Sequence, residues 1–437
     1  MIETGSFERM AAARAGLPGG AAWARRRERA LKTLRARGLP DRRDENWKYL
    51  DHARVAAYPF ESPPAGAART AALPDSSLLP IEGARRIVLL DGRFDAALSN
   101  RLGTPGLDVV DLGALLERDP AAALELLRQP GDDADDRYAL LADAFAAGGI
   151  LIRVAEGRDI AEPLYLLHVA SASEPAVQHS RVAIQAGANS RLTLVEHFVA
   201  AGDAAVLGNL AAEVTLAEGA AVTHLRLHQQ GPAAAQVESW FARLAAHSRY
   251  DQHLMALGGG LLRSNLHVAL EGRDASCRLD GLFLADGERQ VDLLTRVDHL
   301  GAATKTVQDY RGIAAGRGRG ALNGRIVVHA TARGADASQS SRNLMLTPLA
   351  EINARPQLEI HVDDVQCRHG ATIGTLDETQ LFYLVSRGLD PAAARALLTY
   401  AFCQDLVSRV PLGPVRAAAQ ALIVAALPDG ELARGPA

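Results

Sequence analysis

Cysteine is scarce in this chain. Cys277, Cys367 and Cys403 are the three in 437 residues, an odd and sparse set in a chain long enough to bury its own core without covalent staples. A disulfide framework is excluded, and a reducing compartment is favoured. An excess of charge of one sign is also missing. Forty-seven Lys plus Arg stand against 51 Asp plus Glu, for a formal net charge of −4, so electrostatics give no reason to expect nucleic acid or an anionic membrane as partner. Long hydrophobic runs are absent as well. The N-terminus carries Glu3, Glu8 and Arg9 among small residues without the apolar stretch of a secretory signal. The longest apolar run near the C-terminus, 417–427, is interrupted by Gln420 and falls short of the ~20 residues that span a bilayer. A cytoplasmic globular protein of two or three domains is expected, with a protein or small ligand as its partner.

What is present changes in texture along the chain. Residues 21–37 are rich in Ala, Arg, Leu and Glu, and Gly38 follows as a C-cap before Pro40, which predicts a helix. The proline-rich stretch 59–74 reads as a connector. A short strand is expected over 87–90 and a helix from Pro120, capped by Asp119, to Gln129, with another over 138–147. These make 1–149 a mixed α/β module. From 150 to 376 short apolar and polar alternations recur with Gly-containing turns, as in 182–194 and 214–225, so a long β domain is expected. A solenoid and a sandwich both fit, and periodicity does not choose between them because the candidate coils are of unequal length; the solenoid is slightly favoured. Helices return over 377–437, capped by Asp377 and Asp390.

The densest polar cluster is 361–372, which holds His361, Asp363, Asp364, Cys367 and His369. Cys and His ligate zinc and iron-sulfur centres, yet a Cys-x-His step supplies two ligands where a closed site wants four. The ordinary reading makes Cys367 a buried small hydrophobe and has Asp363 and Asp364 turn the chain. His369, beside Gly370 in an expected loop ahead of a helix, is the stronger candidate. The glycine-rich 258–260 and 316–320 read as turns rather than phosphate cradles. His224, His267, His299 and His329 read as core or surface imidazoles, and Trp47 as packed inward. No Gly-x-Ser-x-Gly, His-Glu-x-x-His or Cys-x-x-Cys motif occurs.

Taken together, the segments Arg342-Asn343-Leu344-Met345-Leu346, Arg355-Pro356-Gln357-Leu358-Glu359-Ile360, Asp363-Asp364-Val365, Cys367, His369-Gly370-Ala371-Thr372 and Gln380-Leu381-Phe382-Tyr383-Leu384 resemble the SufB/SufD family of iron-sulfur cluster assembly proteins. Upstream, Asp44-Glu45-Asn46-Trp47-Lys48-Tyr49 resembles the signature of the SufD branch. The scaffolds of the other branch are expected to carry a sulfur-accepting Cys where this chain has Ser341, and a His-Glu pair where it has His369-Gly370. That departure favours the SufD branch.

The resemblance implies a mainly β fold, a right-handed parallel β-helix flanked by the N-terminal α/β module and a C-terminal helical domain. It implies a non-catalytic scaffold subunit that pairs with a SufB-like subunit and docks a SufC-like ATPase through the helices of 378–409. A transient iron-sulfur cluster or iron would sit at the subunit interface, and a reduced flavin accompanies the family's complex. His369 is the expected ligand, with Cys367, His361, Glu359 and Asp363 as weaker candidates that assist or orient it. Two alternatives are a homodimeric metal-binding scaffold and a stand-alone β-helix enzyme acting on a polysaccharide. No nucleic acid or membrane partner is expected.

Overall fold

The computed structural model describes residues 16–58, 73, 78–127 and 136–427. The connector expected over 59–74 lies, apart from Leu73, outside the described residues, as do Gln129 and the polar tail. The N-terminal part holds α1 (Gly20–Arg37), α2 (His52–Ala56), β1 (Arg85–Leu90), β2 (Arg93–Asp95), β3 (Leu107–Asp111), α3 (Leu112–Arg118), α4 (Pro120–Leu126) and α5 (Arg137–Phe145). Asp111, Asp119 and Asp136 each accept a hydrogen bond from a backbone N–H of the first turn they precede, which satisfies donors the helix cannot.

Sixteen strands follow: β4 (Gly149–Val154), β5 (Asp159–Ala170), β6 (Ala176–Ala186), β7 (Arg191–Ala200), β8 (Val206–Leu216), β9 (Ala221–His228), β10 (Ala235–Leu244), β11 (Arg249–Ala256), β12 (Leu261–Leu270), β13 (Ser276–Ala285), β14 (Gln290–His299), β15 (Lys305–Ala314), β16 (Arg319–Val328), β17 (Ala335–Met345), β18 (Glu351–Ile360) and β19 (Val365–Gly374). From β4 to β17 each pairs in parallel with the strand two further along the chain. Consecutive strands therefore lie in opposite sheets, and two strands make one coil. This is a parallel β-solenoid of about eight turns, which settles the choice against a sandwich. Inward residues such as Ile152, Leu194, Leu210, Val222, Leu266, Leu279 and Val297 are buried in one continuous core, each side chain contributing about 1.5–3 kcal/mol by leaving water. Coil length is uneven. Ala235, Leu261, Gln290, Arg319 and Glu351 occupy one register position, with steps from 26 residues (Ala235 to Leu261) to 32 (Arg319 to Glu351), which hides the repeat from sequence periodicity.

At one corner the coils turn through residues with positive φ. Asn189, Gly219, His247, Asp274, Ala303 and Gly334 stack there with φ between 55° and 74°. The N–H of each donates to a backbone carbonyl of the next coil, of Glu218, Ala246, Arg273, Ala302, Arg333 and Asp364 in turn. The bend at Asp363 and Asp364 is thus the last rung of a turn ladder.

The two ends differ. At the N-terminal end β2 pairs antiparallel with β1, which borders β5, and β3 pairs antiparallel with β4, so this end finishes in strands of reversed direction. The N-terminal helices lie against the outside of the sheet containing β4, β6, β8 and β10, with Trp47, Leu34 and Tyr138 packed on Val177, Leu207 and Val237. There Asp143 is buried between Arg26, at 2.7 Å, and Arg181. The C-terminal helices α6 (Glu378–Ser386), α7 (Pro391–Val407) and α8 (Gly413–Ala426) cover the other sheet, where Leu406, Val410 and Ile423 pack on Leu225, Leu227 and Leu282.

Candidate functional site

The last coil is open. β18 is bonded to β16 and β19 to β17, and among the described residues no strand lies beyond either. Edge strands present unpaired N–H and C=O groups that template pairing with another chain. Ile360 and Ile373 on these two strands are 44% and 43% exposed.

His369 lies inside β19, not in the loop expected from its Gly-Ala-Thr neighbours. The correction has a simple cause: small and polar residues that favour a loop locally are held extended by ten paired positions along β17, and long-range pairing outweighs weak local preference. In that register Cys367 faces Ala337, His369 faces Gln339 and Ala371 faces Ser341. Ala337, Gln339 and Ser341 are buried and point into the solenoid. Because side chains alternate across a strand, Cys367 and His369 share the inward direction and stand about 7 Å apart along the strand. No further coil covers them, so His369 is exposed at the mouth while Cys367 is half-buried against the apolar end cluster around Ile326 and Ala337. Cys367 is thus less enclosed than the buried hydrophobe expected, because it sits on the terminal coil. Burial and the nearby Asp336 carboxylate push its thiol pKa up, which keeps it protonated and a reluctant nucleophile.

The weaker candidates fall elsewhere. Glu359 projects from the outer face of β18, bonded to Arg325 and, at 2.9 Å, to His361 Nε2, and these bonds hold its carboxyl down at about 2. Among the described residues neither Glu359 nor His361 bonds to His369. Asp363 occupies the bend between β18 and β19. Ser341 Oγ accepts a 2.9 Å bond from Asn343 Nδ2 and offers no thiol. Among the described residues no group of three or more His, Cys, Asp or Glu is arranged to hold a metal ion.

A second polar centre was not foreseen. Inside the solenoid, at fully buried positions, Arg226 donates to Glu196 at 2.8 Å and to Glu238 at 2.5 Å. His168 bonds Glu196 at 2.9 Å, and His224 bonds the Tyr250 hydroxyl at 2.9 Å. Burial alone would raise the Glu196 carboxyl, but Arg226, His168 and His224 hold it well below the usual carboxylate range. The sequence signal for it was charged residues at inward positions of otherwise apolar strands.

On the C-terminal helices Phe382 is 74% and Tyr383 57% exposed, whereas Tyr400 and Phe402 pack against the apolar layer beneath. This divides the four aromatics between surface and core.

Comparison with known proteins agrees with the geometry. Residues 168–402 match the family model described as SUF system FeS cluster assembly, SufBD core domain. The chain is similar to the iron-sulfur cluster assembly protein SufD of Escherichia coli, with 29% identity and 86% of each chain covered. It is also similar to an iron-sulfur cluster assembly SufBD family protein of Synechocystis, at 26% over 90% of this chain and 88% of that one. A third relative is SufD of Bacillus subtilis, at 27% over 62% of this chain and 63% of that one. The open-ended parallel solenoid and the match across its coils place this chain in the SufBD family of iron-sulfur cluster assembly proteins.

Proposed function

We propose that this chain is the SufD-like scaffold subunit of a cytoplasmic assembly machine. Its open last coil would pair with the corresponding coil of a SufB-like subunit, and its C-terminal helices would dock a SufC-like ATPase. The observation that carries this reading is the asymmetry of the solenoid: one end finishes in short antiparallel strands of three and five residues, and the other in two parallel strands of ten residues each, beyond which no strand lies among the described residues and which carry two exposed isoleucines and an exposed imidazole. Iron, or the cluster being built, is the cargo. One exposed imidazole beside a protonated thiol cannot close a four-ligand site, so the remaining ligands would come from the partner. A neutral imidazole suits a hand-over role because it binds iron without adding charge. With Ser341 in place of a thiol, persulfide chemistry would belong to the partner.

Co-expression with the partner subunits tests this. His369→Ala leaves the complex intact on a sizing column but lowers recovered iron and labile sulfide several-fold. Unchanged cluster yield would remove His369 from the mechanism. Ile360→Lys with Ile373→Lys is expected to reduce recovery of the SufB-like partner. If the isolated chain instead scatters light as a stable dimer that this double variant dissolves, the open edge serves self-association.

A further inference from the structure

The outer face of the sheet formed by β10, β12, β14, β16 and the edge strand β18 carries a groove walled by the N-terminal segment. Strand register assembles its floor. Phe241, His267, Arg296, Arg325 and Gln357 fall in one cross-strand row, with neighbours ~4.8 Å apart. An imidazole and two guanidinium groups thus stand side by side, and like charges opposite each other in a sheet destabilise it unless something answers them. Asp298 answers Arg296 through two bonds, from Nε at 2.8 Å and from Nη2 at 3.1 Å, and Glu359 is in contact with Arg325. Both carboxylates belong to the adjoining row and are not among the groove's lining residues.

The groove has a volume of about 410 Å³, within the range of small-molecule sites. Its amides are held in place before any ligand arrives. Asn265, 4% exposed, accepts from Arg263 Nε at 2.7 Å and donates to Asp136 at 3.2 Å. Asn323, 3% exposed, accepts from Gln357 at 3.0 Å. The wall adds Arg37 and Trp47, with Trp47 stacked under Arg263 at 4.3 Å. Among the described residues Asp136 is the one carboxylate in the lining, and its burial favours the neutral form.

We propose that this groove binds a small molecule bearing carboxylate or phosphate groups, gripped by Arg296 and Arg325 over a floor of fixed amides. Paired guanidinium forks take planar or tetrahedral oxyanions through two parallel bonds each. Titration calorimetry of the full chain with inorganic phosphate, pyrophosphate and citrate as probes tests it. At least one probe should bind. Arg296→Gln and Arg325→Gln should each weaken that binding about tenfold with thermal midpoints near that of the parent, and Asp298→Asn, which removes a competing carboxylate, should tighten it several-fold. Preference for pyrophosphate would assign a phosphate ligand, and preference for citrate a carboxylate. Absence of binding by all three probes, or binding unaltered in the Arg296→Gln/Arg325→Gln double variant, would overturn the proposal.

Discussion

Arg226 shows how a single side chain holds the solenoid interior together. Its guanidinium lies between Glu196 and Glu238 and 4.7 Å over the Trp240 ring. Replacing it by Met leaves two carboxylates buried without a cation, a change that typically costs about 3–5 kcal/mol. Urea unfolding of Arg226→Met should show that loss, and a loss below about 1 kcal/mol would mean that water already serves the cluster. The interior also sets a pH limit. Burial lowers His197, His228 and His299 to about 4 and His179 to about 3, from an ordinary value of 6.5. These rings are neutral when folded and protonate more readily when unfolded. Their stability contribution is therefore whole above about pH 6.5 and is lost as pH falls toward about 4, each group removing at most ~1.4 kcal/mol per pH unit. Thermal midpoints measured from pH 7.5 to 4.5 should fall steeply below 6.5, and a flat profile would contradict the burial. At this scale the sequence showed His369 and Cys367 as a pair, because both lie within three residues. It could not show Glu196, Arg226 and Glu238 as a cluster, because only coil stacking brings them together.

Single elements obey local rules where the rules are strong. Asp119, Asp377 and Asp390 all cap the helices expected of them, each accepting from backbone N–H groups of the first turn, and Gly388 ends α6 at φ 96°. Local composition gives the strand containing His369 the look of a loop, because its stabilising partner lies about thirty residues upstream. The turn ladder has a weak rung in Ala303, a residue with a Cβ at φ 56°, a conformation costing roughly 1–2 kcal/mol for L-residues. Ala303→Gly removes that strain against an unfolded-state entropy penalty of about 0.5–1 kcal/mol. A net gain of about 0.5–1 kcal/mol in chemical denaturation is expected, and a loss would show that the Ala303 methyl group packs usefully in the turn.

For the molecule as a whole, the two sheets carry different loads on their outer faces. The N-terminal helices cover one sheet and the C-terminal helices the other, and the latter keep Phe382 and Tyr383 outward on α6, where Leu381 is the buried residue. Phe382→Ala with Tyr383→Ser should abolish co-purification of the proposed SufC-like ATPase while leaving the thermal midpoint within a degree or two. A large drop in midpoint would instead assign these rings to the fold. The asymmetry of the solenoid ends also limits how far assembly can go. A solenoid open at both ends can add copies without limit and grow into a fibre. Here the hairpin of β1 and β2 and the antiparallel strand β3 finish one end with strands of reversed direction, which breaks the parallel stacking on which such growth depends.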